Sequence, residues 1–139
     1  MASEQTLCLI KPDAVKAGNI GHIITLIENN DFTIRKLKML EMNREIAEKF
    51  YSVHKGKHFY ENLVEFMTSG PIVAIVLDRD NAIAGFRELA GSTDSWKAAE
   101  GTIRHLYGTD NQENAVHGSD SPESFEYEHG VIFESCNCH

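Results

Sequence analysis

Only three cysteines occur in the 139 residues, Cys8, Cys136 and Cys138, and two of them fall in the last four positions. An odd count with that spacing is not a secreted disulfide framework, so reduced thiols and a cytoplasmic setting are expected. Prolines number three and glycines ten, which excludes collagen-like and low-complexity chains. No apolar run approaches the roughly 18–20 residues that span a bilayer. The opening Met-Ala-Ser-Glu-Gln-Thr has neither a basic region nor a long apolar stretch, so no secretory leader is expected. Positive charge is also short: 13 Lys and Arg stand against 21 Asp and Glu, a net charge of −8. Such a chain gains little from releasing counterions on DNA and is repelled by an anionic leaflet. Neither a nucleic-acid nor a membrane partner is expected. An anionic substrate would need a local basic cluster working against the global field.

Ordinary material fills the rest. The hydrophobic fraction is 42% and the charged fraction 24%. One domain over residues 1–139 is expected, large enough to bury a core without staples. Thr6 to Ile10 is a short apolar run, read as a buried strand that meets a turn at Lys11-Pro12-Asp13. Ile20, Ile23, Ile24 and Ile27 form one helix stripe, ended by Asn29-Asn30-Asp31. Phe32 to Met42 alternates like a strand but slips between Ile34 and Leu37, which predicts a bulge. Asn43 is placed to cap a helix carrying Ile46, Ala47 and Phe50. Tyr60, Leu63, Val64 and Met67 share the face of the next helix, and Ile72 to Leu77 is the clearest core strand. Asp80 or Asn81 opens a helix with Ile83, Phe86 and Leu89, and Gly91 ends it. From Gly91 to Asn114 apolar periodicity is weak, which reads as a long irregular segment of the functional kind. Ser121-Pro122 starts the last helix, with Phe125, Ile132 and Phe133 to bury. This order fits an α+β sandwich of the ferredoxin-like β-α-β-β-α-β type, a four-stranded antiparallel sheet covered by helices.

Four stretches carry chemistry. Asn114-Ala-Val-His117-Gly118-Ser119-Asp120-Ser121 sets a histidine and a glycine before hydroxyls, a carboxylate and a helix start. A helix N-terminus favours an anion, and a histidine beside it can attack phosphorus or shuttle a proton. Ser-Asp-Ser-Pro is also an ordinary helix cap. Lys11 follows a core strand, where it stands at a rim or in a solvated turn. Arg104 lies in Gly101-Thr-Ile-Arg104, and Arg87 follows the core strand with Thr93 beyond it. Taken together, one lysine, two arginines and a histidine form a clamp suited to a polyphosphate.

These motifs, with Phe66-Met-Thr-Ser-Gly-Pro71 and Lys11-Pro-Asp-Ala-Val15, resemble those of the nucleoside diphosphate kinase family in order and spacing. The resemblance runs from Thr6 to about Phe133 and is closest to the shorter, bacterial-type members. It implies transfer of the γ-phosphoryl group of a nucleoside triphosphate, typically ATP, to a nucleoside diphosphate by a ping-pong route. His117 matches the nucleophile that carries the phosphoryl group on Nδ1. Glu128 matches the glutamate that holds the other ring nitrogen, and Ser119 the serine that supports it. Lys11, Tyr51, Arg87, Thr93 and Arg104 match the phosphate-binding set, with Lys11 and Tyr51 at the transferring group. Lys11 and Asn114 match residues that touch the ribose. Phe59 matches the aromatic on which the base stacks, which implies broad base tolerance. Mg²⁺ is the implied cofactor, riding on the phosphates with Asp120 reaching it through water and no all-protein metal site. Homo-oligomers, dimers assembled into tetramers or hexamers, are implied as well.

The chain departs from the family where Asp94-Ser95-Trp96 replaces the usual Asn-Pro and where Glu100 replaces a proline. Those changes add negative charge near the expected polyphosphate, in a loop that packs subunits in the family. His54 stands where an apolar base-pocket residue is usual, which would make base binding pH-sensitive, and a solvated histidine is at least an equal reading. His54 and His58 have i, i+4 spacing but no evident third metal ligand. Cys136-Asn-Cys138-His139 reads as a frayed tail in preference to a soft-metal site, and Cys8 as a core thiol. Two other classes compete with the enzyme: an oligomeric scaffold of the same fold, motivated by the altered loop, and a ferredoxin-like RNA-binding module. The intact catalytic set weighs against the first. The charge and the missing basic-aromatic strand motif weigh against the second.

Overall fold

The computed structural model describes residues 3–134, so the Cys136–Cys138 tail lies outside the described residues. Among the described residues four strands are present: β1 (Glu4–Ile10), β2 (Thr33–Leu40), β3 (Ile72–Arg79) and β4 (Val116–Gly118). They form one sheet in the order β2-β3-β1-β4, every pair antiparallel. Among the described residues seven α-helices accompany them: α1 (Pro12–Lys16), α2 (Ile20–Asn29), α3 (Arg44–Phe50), α4 (Tyr60–Met67), α5 (Ala82–Ala90), α6 (Ile103–Tyr107) and α7 (Pro122–His129). The expected ferredoxin-like frame is β1-α2-β2-β3-α5-β4, with α3 and α4 inserted between β2 and β3.

The apolar runs of β1 and β3 are continuous because both sheet faces are covered. Successive side chains of a strand point to opposite faces. Leu7, Leu9, Ala74 and Val76 pack with Phe50 of α3 and Val64 and Met67 of α4. Cys8, Ile10, Val73, Ile75 and Leu77 pack with Ile23 and Ile27 of α2 and Phe86 of α5. Each fully buried large aliphatic side chain contributes about 1.5–3 kcal/mol. Strand β2 is an edge, and it carries Arg35, Lys36 and Lys38, which blunt it. Its register shifts between Ile34 and Lys36, at the expected slip.

Caps explain where several helices begin. Asn43 Oδ1 accepts from Ile46 N at 2.8 Å, and Ser121 Oγ accepts from Ser124 N at 3.0 Å. Helix α5 is different. Asn81 precedes it in a left-handed conformation (φ 52°) and its side chain makes no capping bond. Glu4 Oε1, from the start of β1, accepts from Ile83 N at 2.9 Å instead. A cap borrowed from a distant strand leaves no local trace in sequence.

Four expectations need correction. Lys11-Pro-Asp is not a simple turn: Pro12 starts α1, its fixed φ suiting the first helical position. The segment from Gly91 to Asn114 is not wholly irregular. It holds a 3-10 turn (Ser95–Lys97) and α6, whose five residues are too few for an apolar period. The Thr102 hydroxyl caps α6, accepting from His105 N at 3.3 Å. The last helix ends at His129, and Ile132 and Phe133 follow in a wider π-type turn, Gly130–Glu134. Finally, His54 ends a 3-10 turn and His58 lies in the next turn, so their spacing is not on a helix.

Replacing Asn43 by Ala removes the α3 cap and is expected to cost about 1 kcal/mol. A lowered urea midpoint with an unchanged slope in equilibrium unfolding is the expected readout, and an unchanged midpoint would contradict the capping role.

Candidate active site

Strand β4 pairs with the central strand β1, setting His117 opposite Leu9 and Gly118 opposite Cys8. His117 Nε2 lies 3.0 Å from Glu128 Oε1, which α7 brings back over the sheet. The Ser119 hydroxyl donates to the same oxygen at 2.7 Å. A carboxylate only accepts, so Nε2 is the donor to Glu128, and in the neutral form of the ring the unshared pair lies on Nδ1. Ser119 is fully buried and Glu128 nearly so. The rings of Phe50 and Tyr51 pack edge-on against the imidazole, with centroids at 5.2 and 6.2 Å. Gly118 is required by close approach: a Cβ there would come within 2.6 Å of the Phe86 ring.

The cations come from elements far apart in sequence. Lys11 is buried, not solvated, and its ammonium donates to Gln112 O at 2.7 Å and Asn114 Oδ1 at 2.8 Å. Burial lowers its pKa to about 8, against the opposing pull of Asp13. Asn114 Nδ2 in turn donates to Thr93 O at 2.8 Å. Arg104 donates to Gly91 O and Val116 O, both at 2.8 Å, which ties α6 to the end of α5 and to β4. Two of its five donors are thereby used, and its buried Nε has no partner among the described residues. Desolvation and the nearby Arg87 charge both weaken its hold on its proton, with Cys8 opposing. Arg87 is exposed on α5.

These parts surround a cleft of about 990 Å³. Of the residues singled out in sequence, Lys11, Tyr51, Phe59, Arg87, Thr93, Arg104, Asn114, His117 and Asp120 line it. Glu128 borders a smaller adjoining cavity of about 270 Å³, and the buried Ser119 stands behind the histidine. The Tyr51 hydroxyl is buried without a hydrogen-bond partner among the described residues, and burial pushes its pKa up. The Ser124 hydroxyl donates to Asp120 at 2.6 Å and holds that carboxyl below the usual range. His54 also lines the cleft, between the rings of Tyr51 and Phe59, and burial lowers its pKa.

Neither Asp94 nor Glu100 is among the lining residues, whereas Lys97 of the same loop is. The Asp94 carboxylate turns inward to accept from Trp96 N at 3.0 Å. Asp94 and Glu100 thus stand beside the lining residues Thr93 and Ala99 without lining the cleft themselves, and Trp96 projects outward, 84% exposed. Among the described residues no group of three or more His, Cys, Asp or Glu could hold a metal ion. Two features escaped sequence reasoning. The carbonyl of Gln112 is a ligand of Lys11 that any residue type could supply. Asp13, though inside the Lys-Pro-Asp motif, was assigned no role, and it reaches the backbone of Ala115 just ahead of the histidine.

Residues 4–138 match the family model described as nucleoside diphosphate kinase. A nucleoside diphosphate kinase of Staphylothermus marinus is 52% identical over 96% of this chain and 95% of its own length. One from Salinibacter ruber is 47% identical over 96% and 94%. Among solved structures, the Aquifex aeolicus nucleoside diphosphate kinase superposes with a TM-score of 0.93 at 46% identity, covering 96% of both chains. The Halobacterium salinarum enzyme, solved in complex with CDP, gives 0.92 at 38% identity over 96% of this chain and 89% of that one. The chain belongs to the nucleoside diphosphate kinase family, enzymes that transfer a phosphoryl group between nucleoside triphosphates and diphosphates.

Proposed function

We propose that residues 1–139 act as one domain that moves the γ-phosphoryl group of a nucleoside triphosphate, typically ATP, to a nucleoside diphosphate through a phosphohistidine. The observation that carries this reading is the contact of His117 Nε2 with Glu128, which leaves Nδ1 as the nucleophilic nitrogen. In the first half-reaction the Nδ1 lone pair attacks the γ-phosphorus. The bond to the bridging oxygen breaks and the diphosphate leaves. In the second, the terminal oxygen of another diphosphate takes the group back off nitrogen. A covalent intermediate splits one transfer into two similar halves at one site.

Arg87, Thr93 and Arg104 hold the outer phosphates in this scheme. Lys11 and the Tyr51 hydroxyl, which has no hydrogen-bond partner among the described residues, stabilise charge on the group in flight. Ser119 and Glu128 orient the ring. Lys11 and Asn114 face the ribose, and Phe59 offers a face on which any base can stack, giving broad base tolerance. Asp120 fits Mg²⁺ as a single ionised carboxylate, the kind of partner that ion takes through water while it rides on phosphates. When bound, the ion neutralises developing phosphate charge. A homo-oligomer built from dimers, a tetramer or hexamer, is supported by Leu37 and Met39, exposed on edge strand β2, and by Trp96. A cytoplasmic setting agrees with Cys8 as a free thiol.

Intact-protein mass measured after incubation with ATP and Mg²⁺ at neutral to alkaline pH should rise by one phosphoryl group and return on adding GDP. His117→Ala should lose this gain while keeping its circular-dichroism spectrum. A phosphorylated His117→Ala protein would overturn the assignment.

Burial lowers the Lys11 pKa to about 8, whereas burial raises that of Tyr51, which keeps its proton across that range. Nucleotide affinity should therefore be full below pH 8 and weaken above it, by up to about tenfold per pH unit. Calorimetric ADP titrations between pH 7 and 10 test this, and Lys11→Gln should bind weakly with no such limb. A wild-type profile that stays flat would remove Lys11 from phosphate binding.

A further inference from the structure

Asp13 lies in the first turn of α1 with no task in the nucleotide scheme, yet its side chain crosses to the residue just ahead of β4, the strand that carries His117. Its Oδ2 accepts from Ala115 N at 3.1 Å. Ala115 is fully buried and has φ 74°, a backbone region that a residue with a Cβ rarely enters. The amide of Val116 donates to Asn114 O at 2.9 Å, closing a three-residue γ-turn around Ala115, the strained positive-φ form. The carbonyl of Ala115 is held too, accepting from Lys11 N at 2.8 Å. Both backbone groups of the strained residue are thus fixed by the Lys11–Asp13 segment.

The turn stands between the two working parts of the cleft. Asn114, one residue before it, takes the Lys11 ammonium. His117 follows two residues after it. Relaxing Ala115 to an ordinary conformation would swing Asn114 and His117 relative to each other. The position of Asp13 is costly in itself: its other oxygen, Oδ1, is buried with no partner among the described residues, and burial raises its pKa. A carboxylate kept in such surroundings points to a job done at Oδ2.

We propose that Asp13 is a positioning residue that holds the Ala115 γ-turn, and through it the fixed relation between the Lys11–Asn114 clamp and His117. This rests on the reading of His117 as the phosphoryl acceptor. The test is the rate of phosphohistidine formation at saturating ATP and Mg²⁺, followed by rapid quench and intact mass. The wild-type chain serves as the control: if it takes up no phosphoryl group, the functional reading itself fails, separately from this one. Asp13→Ala should slow phosphorylation by about 10- to 100-fold, the scale of a misplaced reacting group. Asp13→Asn keeps an acceptor oxygen and should retain at least roughly a third of the wild-type rate, because the hold is a hydrogen bond and not a charge. Ala115→Gly removes the strain, since glycine adopts positive φ freely. Added to Asp13→Ala, it should recover at least about tenfold of the lost rate, a rescue that a generally weakened fold would not show. An Asp13→Ala rate within about twofold of wild type would overturn the proposal. So would an Asp13→Asn as slow as Asp13→Ala, or a double variant that stays slow or unfolded.

Discussion

An ammonium group taken out of water must be solvated by the protein itself, and Lys11 sets this demand at the end of the central strand. Its two acceptors, Gln112 O and Asn114 Oδ1, lie about a hundred residues further along the chain. Meeting the demand therefore fixes the tertiary structure around the cleft. Asn114 can turn its oxygen toward Lys11 only because its amide nitrogen is occupied by Thr93 O. That bond brings in the loop after α5, and Arg104 closes the circuit by bridging Gly91 and Val116. The site is a ring of backbone carbonyls held by three polar side chains, with the sheet beneath it.

The global and local fields oppose each other. The chain carries a net charge of −8, yet Lys11, Arg87, Lys97 and Arg104 all line one cleft. Two carboxylates, Glu88 and Asp120, line the same cleft, so the cations there outnumber the acids, and other acidic residues are engaged in hydrogen bonds. Asp94 caps a turn, Glu4 caps α5 and Glu128 contacts Nε2 of the His117 ring. Acidic surface and basic cleft together favour a polyanion that enters in one place over polyanions that spread along a surface.

Where the hydrophobic period was long, the sequence predicted the elements. The isoleucine stripe of α2 and the runs of β1 and β3 stand where they were expected, and so does the slip in β2. Local capping chemistry was legible at Asn43 and Ser121 for the same reason: donor and acceptor are three residues apart. Helix α6 was hidden because five residues hold little more than one turn. The cap of α5 was hidden because Glu4 comes from 79 residues away. At the cleft, motif residues identified the side chains that line it. The left-handed turn at Ala115 gave no warning, since alanine is the residue least suggestive of strain, and its partner Asp13 is ordinary until the fold brings the two together.

Cys8 lies in register with Gly118, one position along from the pair that sets Leu9 against His117. It is fully buried, and burial pushes its thiol pKa far up, despite the Arg104 charge acting the other way. Thiolates, not thiols, are the sulfur species that attack phosphorus and peroxides. A second nucleophile thus stands close behind the cleft but is held in its inert form. In the proposed scheme the phosphoryl group meets nitrogen without competition from sulfur, and the buried thiol offers oxidants no thiolate at the centre of the sheet.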